Sequence, residues 1–387
     1  MADRTSCDRP MNADLLVKAA IEETGHDDFG GTSWREGLDR LCDAVEREAD
    51  LTAMGEEILG GRIQGLLASR LGIEATYRDH PEIDDVVITA PIFILGLPRT
   101  GTTATSHLLS VDPQIRSLRT WESADPVPPP EKATEGSDPR IAATQAGIDM
   151  MYQVFPRMKS LYFQTATSPT ECQDLLGMAF RTSHFDGMAH VPSYVDWVIE
   201  CDMSPAYRYH RRTLQLLQWH CPPETWHLKT PVHMLSLDAL NEIYPDARFI
   251  WTHRDPAEVM GSVCDLIAYC RSWVSDRDDS EELGAQQLQI WTEAVRRALA
   301  FRDKVGDARF ADIRHADLQT DPVTAFERAY DAIGLTMSEE ARQAIGRWAH
   351  DHRRGDHGEH AFDLKQFGLD VENVRRAFAF YLDRFSA

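Results

Sequence analysis

The chain has 387 residues, of which 40 are basic and 62 acidic, so its formal net charge is −22 and its pI is about 5.0. At roughly 150 residues per domain, this length suits one large α/β domain or two to three smaller ones. The acidic balance argues against binding to nucleic acid or to anionic membranes, because both repel a negatively charged surface. An anionic ligand therefore needs a local cluster of donors.

The seven cysteines are odd in number and include no C-x-x-C pair, which favours a reduced intracellular protein over a disulfide framework. The longest apolar run, over residues 86–97, is too short to span a bilayer and follows no basic segment. We therefore expect a cytoplasmic protein without a signal peptide or a membrane anchor.

The N-terminal part of the chain is predicted to be helical, because apolar residues recur there at helical intervals. The predicted helices cover residues 11–24, 34–49 and 51–71. Thr32 and Ser33 are candidate caps of the second helix. The character then changes to a β-branched run over residues 86–95, which ends at Gly96 and predicts a buried parallel strand.

Beyond this strand, helices and strands alternate. A helix is predicted over residues 102–111, and the proline-rich stretch 125–138 is predicted to be an exposed loop. Further helices are predicted at residues 140–157, 171–182, 206–219, 234–244 and 256–269, and further strands at residues 226–230 and 248–252. Such alternation is typical of an α/β fold with a three-layer parallel sheet, here preceded by an N-terminal helical extension.

A glycine-containing loop, G-L-P-R-T-G-T-T over residues 96–103, joins the first strand to the next helix. Backbone N–H groups and a helix N-terminus in such a loop bind phosphate-like anions. The spacing of Gly96 and Gly101 is that of a Walker A loop, but Thr102 replaces its lysine and the cation is Arg99 inside the loop. The missing lysine counts against the alternative of a nucleoside or small-molecule kinase.

A second pair of candidate anion contacts lies further along the chain. Arg254 follows a predicted strand, and Ser262 comes eight residues later on the next predicted helix. About two helical turns bring these side chains toward one anion. Arg254 by itself would more readily form a surface ion pair with Asp255 or Glu258, but together with the upstream loop it favours a phosphate site.

Residues 98–103, P-R-T-G-T-T, resemble the 5′-phosphosulfate loop of sulfotransferases. The resemblance implies 3′-phosphoadenosine-5′-phosphosulfate (PAPS) as co-substrate and places Arg99 near the transferring sulfuryl group. The donors that it implies for the 5′-phosphate are the backbone groups of Thr100, Gly101, Thr102 and Thr103. It also implies that Arg254 and Ser262 bind the 3′-phosphate, because the family has this arginine and serine at this separation.

Weaker matches extend the resemblance over residues 91–385. They lie at residues 228–231, 244–250 and 315–322. His315 replaces a tyrosine that contacts adenine in relatives, and we expect the imidazole to keep that role by stacking or hydrogen bonding. Arg353 and Arg354 either resemble a basic loop that closes on the 3′-phosphate or form a solvated charge cluster.

Residues 119–122 and 360–369 look like the bacterial branch of sulfotransferases that carries an N-terminal helical extension. This resemblance divides the chain into a helical extension, residues 1–90, and a sulfotransferase α/β domain, residues 91–387.

Sulfuryl transfer to a hydroxyl needs a base for the incoming oxygen and a cation near the leaving oxygen. We expect Glu122 to be the base, because tyrosylprotein sulfotransferases use a glutamate in the corresponding region. Trp121 and the proline-rich segment would partly desolvate this carboxylate and raise its basicity. The alternative for Glu122 is an ion pair with Arg119.

Lys229 is the candidate for stabilising the leaving group together with Arg99. Cytosolic sulfotransferases use a histidine at the position of Pro231, so their base has no counterpart here, and His233 is the rival to the predicted glutamate. Glu171 either shapes the acceptor pocket or caps a helix.

The expected function is sulfuryl transfer to a hydroxyl, or alternatively an amine, of a small and apolar acceptor such as a lipid, terpenoid, steroid or phenol. Apolar and aromatic residues that either line its pocket or pack in the core are Met150, Met151, Tyr152, Phe155, Met158, Tyr162 and Phe163. A non-catalytic nucleotide-binding module is a further alternative. No H-E-x-x-H or other dense ligand pattern occurs, so no metal site is predicted. The oligomeric state has no signal in the sequence.

Overall fold

The computed structural model describes residues 11–222, 225–352 and 363–385. Five strands form one sheet: β1 (Ile92–Leu95), β2 (Ile115–Ser117), β3 (Thr225–Lys229), β4 (Arg248–His253) and β5 (Phe310–Arg314). Their order is β2-β3-β1-β4-β5, and every pair is parallel. The carboxyl ends of all five strands therefore meet at one edge.

Helices make up most of the rest of the described chain. The N-terminal helices are α1 (Ala13–Thr24), α2 (Arg35–Glu48) and α3 (Ala53–Asp79). Between β1 and β4 lie α4 (Thr102–Ser110), α5 (Thr120–Ala124), α6 (Pro139–Val154), α7 (Met158–Leu161), α8 (Gln173–Gly177), α9 (Pro192–Glu200), α10 (Ser204–Gln218) and α11 (Leu237–Ile243). After β4 come α12 (Pro256–Arg271), α13 (Ser280–Val305), α14 (His315–Thr320), α15 (Pro322–Ala332), α16 (Glu339–Asp351), α17 (Val371–Ala377) and α18 (Ala379–Phe385). Short 3₁₀ turns cover Pro81–Asp85, Ser183–Gly187, Pro231–Leu235, Asp307–Arg309 and Leu364–Phe367.

The side chains of β1 alternate between two hydrophobic cores, as the pleat of a strand requires. Ile92 and Ile94 belong to the smaller core, with residues of α4, α15 and α16. Phe93 and Leu95 belong to the larger core, with residues of α1 to α3, α10, α12 and α13. Helices thus cover both faces of the sheet, and the predicted three-layer α/β fold is confirmed.

Three local predictions are wrong in extent. The helix predicted over residues 51–71 continues to Asp79. The first strand begins only at Ile92, and Val87 is 67% exposed. Pro91, which has no N–H for a sheet ladder, immediately precedes the strand. The helix predicted over residues 171–182 is only the short α8, since the chain turns at Phe180, whose φ is 49°.

The N-terminal helices pack directly against the rest of the molecule. A side chain at Gly55 would lie 2.0 Å from the carbonyl oxygen of Val274, so only glycine allows this approach of α3. The guanidinium of Arg70 donates from Nη1 to the carbonyl oxygen of Met178 at 3.1 Å. The predicted hydroxyl caps of α2 are wrong, because Trp34 occupies its N-cap position without a side-chain hydrogen bond.

Side chains of these helices belong to the larger core together with side chains of the sheet. The predicted domain boundary at residue 90 stays a prediction. Among the described residues, no helix combines the length and apolar character needed to cross a bilayer. All six cysteines among the described residues are free thiols.

Candidate active site

The loop between β1 and α4 is held tightly against β4. Gly96 has a φ of 139°, and a side chain there would come within 2.3 Å of Thr252 Oγ1. The Thr100 hydroxyl is buried, donates to the carbonyl oxygen of Leu97 at 2.7 Å and lies 2.7 Å from Thr252 Oγ1. The side chain of Thr100 therefore stabilises the loop, and a ligand at this residue can contact only the backbone.

The N-terminus of α4 opens at this loop. Gly101 is its N-cap residue with a φ of 95°, and the first helical hydrogen bond runs from Thr105 N to Gly101 O at 2.9 Å. The N–H groups of Thr102 and Thr103 precede that bond and lack helical partners, as in every helix start. His315 lies against the loop, because a side chain at Gly101 would meet its Cδ2 at 3.2 Å.

Two arginines converge beside this helix N-terminus. Arg99 donates from Nε to Ser262 Oγ at 3.0 Å, and Arg254 donates from Nη1 to the carbonyl oxygen of Arg99 at 3.3 Å. Burial, together with the positive charge of Arg254, lowers the pKa of Arg99. Glu258 pairs with Arg254 from the outer side at 3.0 Å. Two neighbouring guanidinium groups, a hydroxyl and a helix N-terminus form a site for an anion.

A buried lysine and a glutamate lie at the neighbouring strand end. Lys229 ends β3 opposite Ile94 of β1, and its ammonium nitrogen lies 2.7 Å from Glu171 Oε1. Thr230 Oγ1 donates to Glu171 Oε2 at 3.0 Å. Burial by itself would raise the pKa of Glu171, but the charge and hydrogen bond of Lys229 hold it below the ordinary value. The glutamate is therefore ionised at neutral pH.

The segment that follows α6 lies over both groups. The carbonyl oxygen of Leu161 accepts a 2.8 Å hydrogen bond from Arg99 Nη1, and Arg157 pairs with Asp265 of α12 at 2.7 Å. Tyr162 directly follows Leu161. The centroid of its ring lies 5.8 Å from the ammonium nitrogen of Lys229, and the side chain also interacts electrostatically with Arg99. This segment therefore connects the loop to the lysine.

Glu122 has different surroundings. Its side chain is 0% exposed and forms an ion pair with Arg116, while its Oε2 accepts from the backbone N–H of Arg119 at 3.2 Å. Arg116 also donates to the carbonyl oxygen of Leu217 at 2.8 Å and lies over the ring of Trp226. The carboxylate is thus paired and closed to solvent, which favours a structural ion pair over a base.

The rival histidine is equally enclosed. His233 is 0% exposed, and its Nδ1 lies 2.8 Å from the hydroxyl of Tyr207 in the larger core. Arg353, Arg354 and residue 360, which belongs to the last motif, lie outside the described residues.

The structure brings most of the predicted site residues to one edge of the sheet. They are Arg99, Thr100, Gly101, Thr102, Thr103, Lys229, Arg254, Ser262 and His315. Sequence reasoning considered Glu171 only as a cap or pocket residue, and it treated Tyr162 only as a pocket or core residue. Glu171 contacts Lys229 across 58 residues of chain, so no local pattern could have revealed the pair.

Comparisons with known proteins identify the family and similar folds. A family model described as the sulfotransferase family matches residues 91–339. The structure is similar to that of sulfotransferase STF1 from Mycobacterium tuberculosis H37Rv, with 36% identity, a TM-score of 0.86, and coverage of 95% of this chain and 98% of that one. Sulfotransferase STF9 from Mycobacterium avium is 33% identical with a TM-score of 0.90, over 99% and 98% of the two chains.

A more distant curated relative carries a substrate in its name. The omega-hydroxy-beta-dihydromenaquinone-9 sulfotransferase Stf3 of Mycobacterium tuberculosis (strain CDC 1551 / Oshkosh) is 26% identical over 260 residues, 65% of this chain. The match spans 64% of that relative's length. The chain described here belongs to the sulfotransferase family, and the family and fold predictions are confirmed.

Proposed function

We propose that this sulfotransferase moves a sulfuryl group from PAPS to the hydroxyl of an apolar acceptor. The observation that carries the proposal is the convergence of Arg99 and Arg254 beside the N-terminus of α4, where Ser262 of α12 accepts a hydrogen bond from Arg99. PAPS supplies an activated sulfuryl group together with phosphates at the 5′ and 3′ positions. The chain has 22 more acidic than basic residues, so most of its surface repels anions. The cluster of two arginines, a serine hydroxyl and a helix N-terminus supports the assignment of such an anion to this part of the molecule.

Different residues around the loop bind different parts of PAPS. Thr102 and Thr103 offer backbone N–H groups to the 5′-phosphate, since these groups precede the first helical hydrogen bond. Arg254 and Ser262 hold the 3′-phosphate. His315 lies against Gly101 and contacts the adenine from that side. All of these residues belong to the proposed domain of residues 91–387, and the described part of the proposed extension, residues 11–90, contributes side chains to the larger core.

We assign the general base to Glu171 and not to Glu122. The side chain of Glu171 is 20% exposed and contacts Lys229 at the strand end next to the loop. Both of its oxygens accept hydrogen bonds inside the protein, as do those of Glu122. The two differ in access, because the Glu122 side chain is 0% exposed and no acceptor molecule can reach it.

Lys229 has two tasks in this arrangement. Its ammonium group holds Glu171 in place and stands one strand away from the loop, opposite Ile94. Together with Arg99 it neutralises the negative charge that develops on the bridging oxygen of the donor. As the ammonium turns toward that oxygen, its hold on Glu171 weakens, and the carboxylate becomes a better acceptor for the hydroxyl proton. Proton removal and leaving-group stabilisation are then coupled through one side chain.

The apolar acceptor is suggested by the surface near the site. Met150, Val154 and Phe163, on α6 and just after α7, are large apolar side chains that the described structure leaves exposed. Tyr162, next to Phe163, reaches Lys229, so this apolar surface continues to the reacting groups. The name of Stf3 gives an omega-hydroxylated dihydromenaquinone as its substrate. A long apolar alcohol is therefore the acceptor that we propose.

The test uses ³⁵S-labelled PAPS and long-chain primary alcohols, each compared with its own methyl ether. We expect labelled sulfate ester from the alcohols and none from the ethers, because only the alcohols carry a transferable proton on the acceptor oxygen. Binding of the bisphosphate product, 3′-phosphoadenosine 5′-phosphate, is measured in parallel against ATP with magnesium. Preference for ATP with magnesium and phosphorylation of the alcohol would support the kinase alternative.

A further inference from the structure

Three metal-ligating side chains from distant parts of the chain meet next to the Glu171–Lys229 pair. Cys172 is the N-cap residue of α8, His210 lies within α10, and His233 lies in the 3₁₀ turn after β3. All three are 0% exposed, and one ligand atom from each lies within 4.8 Å of the other two. The sequence predicts no metal site because these residues are far apart along the chain.

The two histidines each have one satisfied and one unsatisfied ring nitrogen. His210 Nδ1 lies 2.7 Å from the hydroxyl of Tyr244, and His233 Nδ1 lies 2.8 Å from that of Tyr207. The Nε2 atoms of both rings are buried and have no hydrogen-bond partner. Buried polar atoms nearly always have a partner, so two such atoms in one cluster with a free thiol indicate a missing common partner.

The tyrosines fit a metal site in another respect. A histidine that binds a metal usually engages its second ring nitrogen in a hydrogen bond, which fixes the orientation of the ring. Tyr207 and Tyr244 supply that bond here. Phe93 packs edge-on against His233 with 5.0 Å between ring centroids and further limits its rotation.

We propose that Cys172, His210 and His233 bind one Zn²⁺ ion. Bond lengths of about 2.0–2.1 Å to nitrogen and about 2.3 Å to sulfur place two nitrogens and one sulfur of a tetrahedral site about 3.3–3.6 Å apart. Since the three atoms now lie within 4.8 Å of one another, each pair has to close by no more than about 1.5 Å on binding. The thiol of Cys172 becomes a thiolate and releases one proton to solvent. Three protein ligands leave the fourth position to a water molecule.

The position of this site gives it a structural task. The backbone N–H of Cys172 donates to the carbonyl oxygen of Lys229 at 2.9 Å, and Cys172 directly follows Glu171. The ion would join α8, α10 and the turn after β3, and so hold in place the two segments that carry the Glu171–Lys229 pair. The inference rests on this cluster alone and does not depend on the reaction.

The wild-type protein provides the first test. It is purified without chelators, incubated with ZnCl₂, passed through a desalting column and analysed by mass spectrometry for metals. We expect about one zinc per chain and a rise in Tm of roughly 3–5 °C over protein treated with dipicolinate. Co²⁺ added to the zinc-free protein should give the near-ultraviolet absorption band of a cobalt–thiolate bond. Substoichiometric zinc without this band overturns the proposal and leaves a buried water as the common partner.

Variants then locate the site. Cys172→Ser should abolish the cobalt–thiolate band and weaken zinc binding by at least about 10²-fold. Cys42→Ser, which changes another buried thiol on α2, is the matched control and should bind like wild type. If Cys172→Ser fails to fold, His210→Gln replaces it and should also weaken zinc binding strongly, because it removes one of the three ligands. A band retained in folded Cys172→Ser, or zinc binding of wild-type strength in folded His210→Gln, contradicts the assignment.

Discussion

Two pairs of a glutamate and a cation lie near the carboxyl edge of the sheet, and they differ in what else can reach the carboxylate. In both pairs the two glutamate oxygens accept hydrogen bonds inside the protein, but the Glu122 side chain is 0% exposed and its partner Arg116 is almost fully buried. Glu171 keeps 20% of its side chain exposed while its partner Lys229 is almost fully buried. A glutamate–cation pair that is fully buried can only stabilise the fold. A pair whose glutamate is partly exposed leaves room for a second molecule at the carboxylate.

The sharpest test of this comparison is Glu171→Gln. The substitution keeps the shape and the contact with Lys229 but removes the proton acceptor, so the single-turnover rate at saturating donor should fall by about 10²- to 10⁴-fold. Affinity for 3′-phosphoadenosine 5′-phosphate should stay unchanged, because the assigned phosphate ligands are elsewhere. A near-normal rate in this variant would refute the assignment of the base.

The reciprocal variant is Glu122→Gln. It leaves Arg116 as an unpaired buried charge, and the free energy of unfolding should fall by about 3–5 kcal/mol. Urea denaturation measures this loss, and the rate of the chains that remain folded should change little. If Glu122→Gln folds normally and loses turnover while Glu171→Gln keeps it, the two carboxylates exchange roles.

Lys229→Met tests the cation of the open pair. Methionine fills a similar volume without the charge, so the leaving oxygen loses one of its two stabilising groups. We expect kcat to fall by about 10²- to 10³-fold, comparable to the loss of one oxyanion donor. KM for the donor should change much less, since the charge acts mainly in the transition state. A loss confined to KM would make Lys229 a binding residue only.

Arg254→Ala tests the donor site without touching either pair. A charge-assisted contact is worth about 1.5–3 kcal/mol, which corresponds to roughly 10- to 150-fold in affinity. Calorimetric titration with 3′-phosphoadenosine 5′-phosphate should show this loss, while Arg47→Ala, an exposed arginine on α2, serves as control. Equal affinity in the two variants would remove Arg254 from the phosphate site.

The smallest effect is expected for Phe163→Ser on the exposed apolar surface. Phe163 is partly exposed, so the change should cost little stability but remove contact area for an apolar acceptor. We expect KM for a long-chain alcohol to rise about 3- to 10-fold, with a smaller change for a short-chain alcohol. A uniform change for both chain lengths would place the acceptor chain elsewhere.

Local motifs predicted that the residues assigned to the donor lie together, because this part of the fold is built from short segments. A strand, a tight glycine loop and a helix start must bring Arg99 and the backbone of Thr102 and Thr103 together wherever the sequence occurs. The same reasoning placed Arg254 and Ser262 on one strand end and the next helix, and the structure joins both to the loop. The alternation of the β1 side chains between two cores likewise follows from its continuous apolar sequence.

The sequence by itself determined the parallel α/β fold, the glycine-containing loop between β1 and α4, and the family. Tertiary structure alone decided which glutamate is open and which is closed, because that depends on partners such as Arg116 and Lys229. It also decided that Cys172, His210 and His233 share one cluster. The physical reason is that periodicity and loop motifs act over a few residues, whereas burial and ion pairing are set by whichever segments the finished core places side by side.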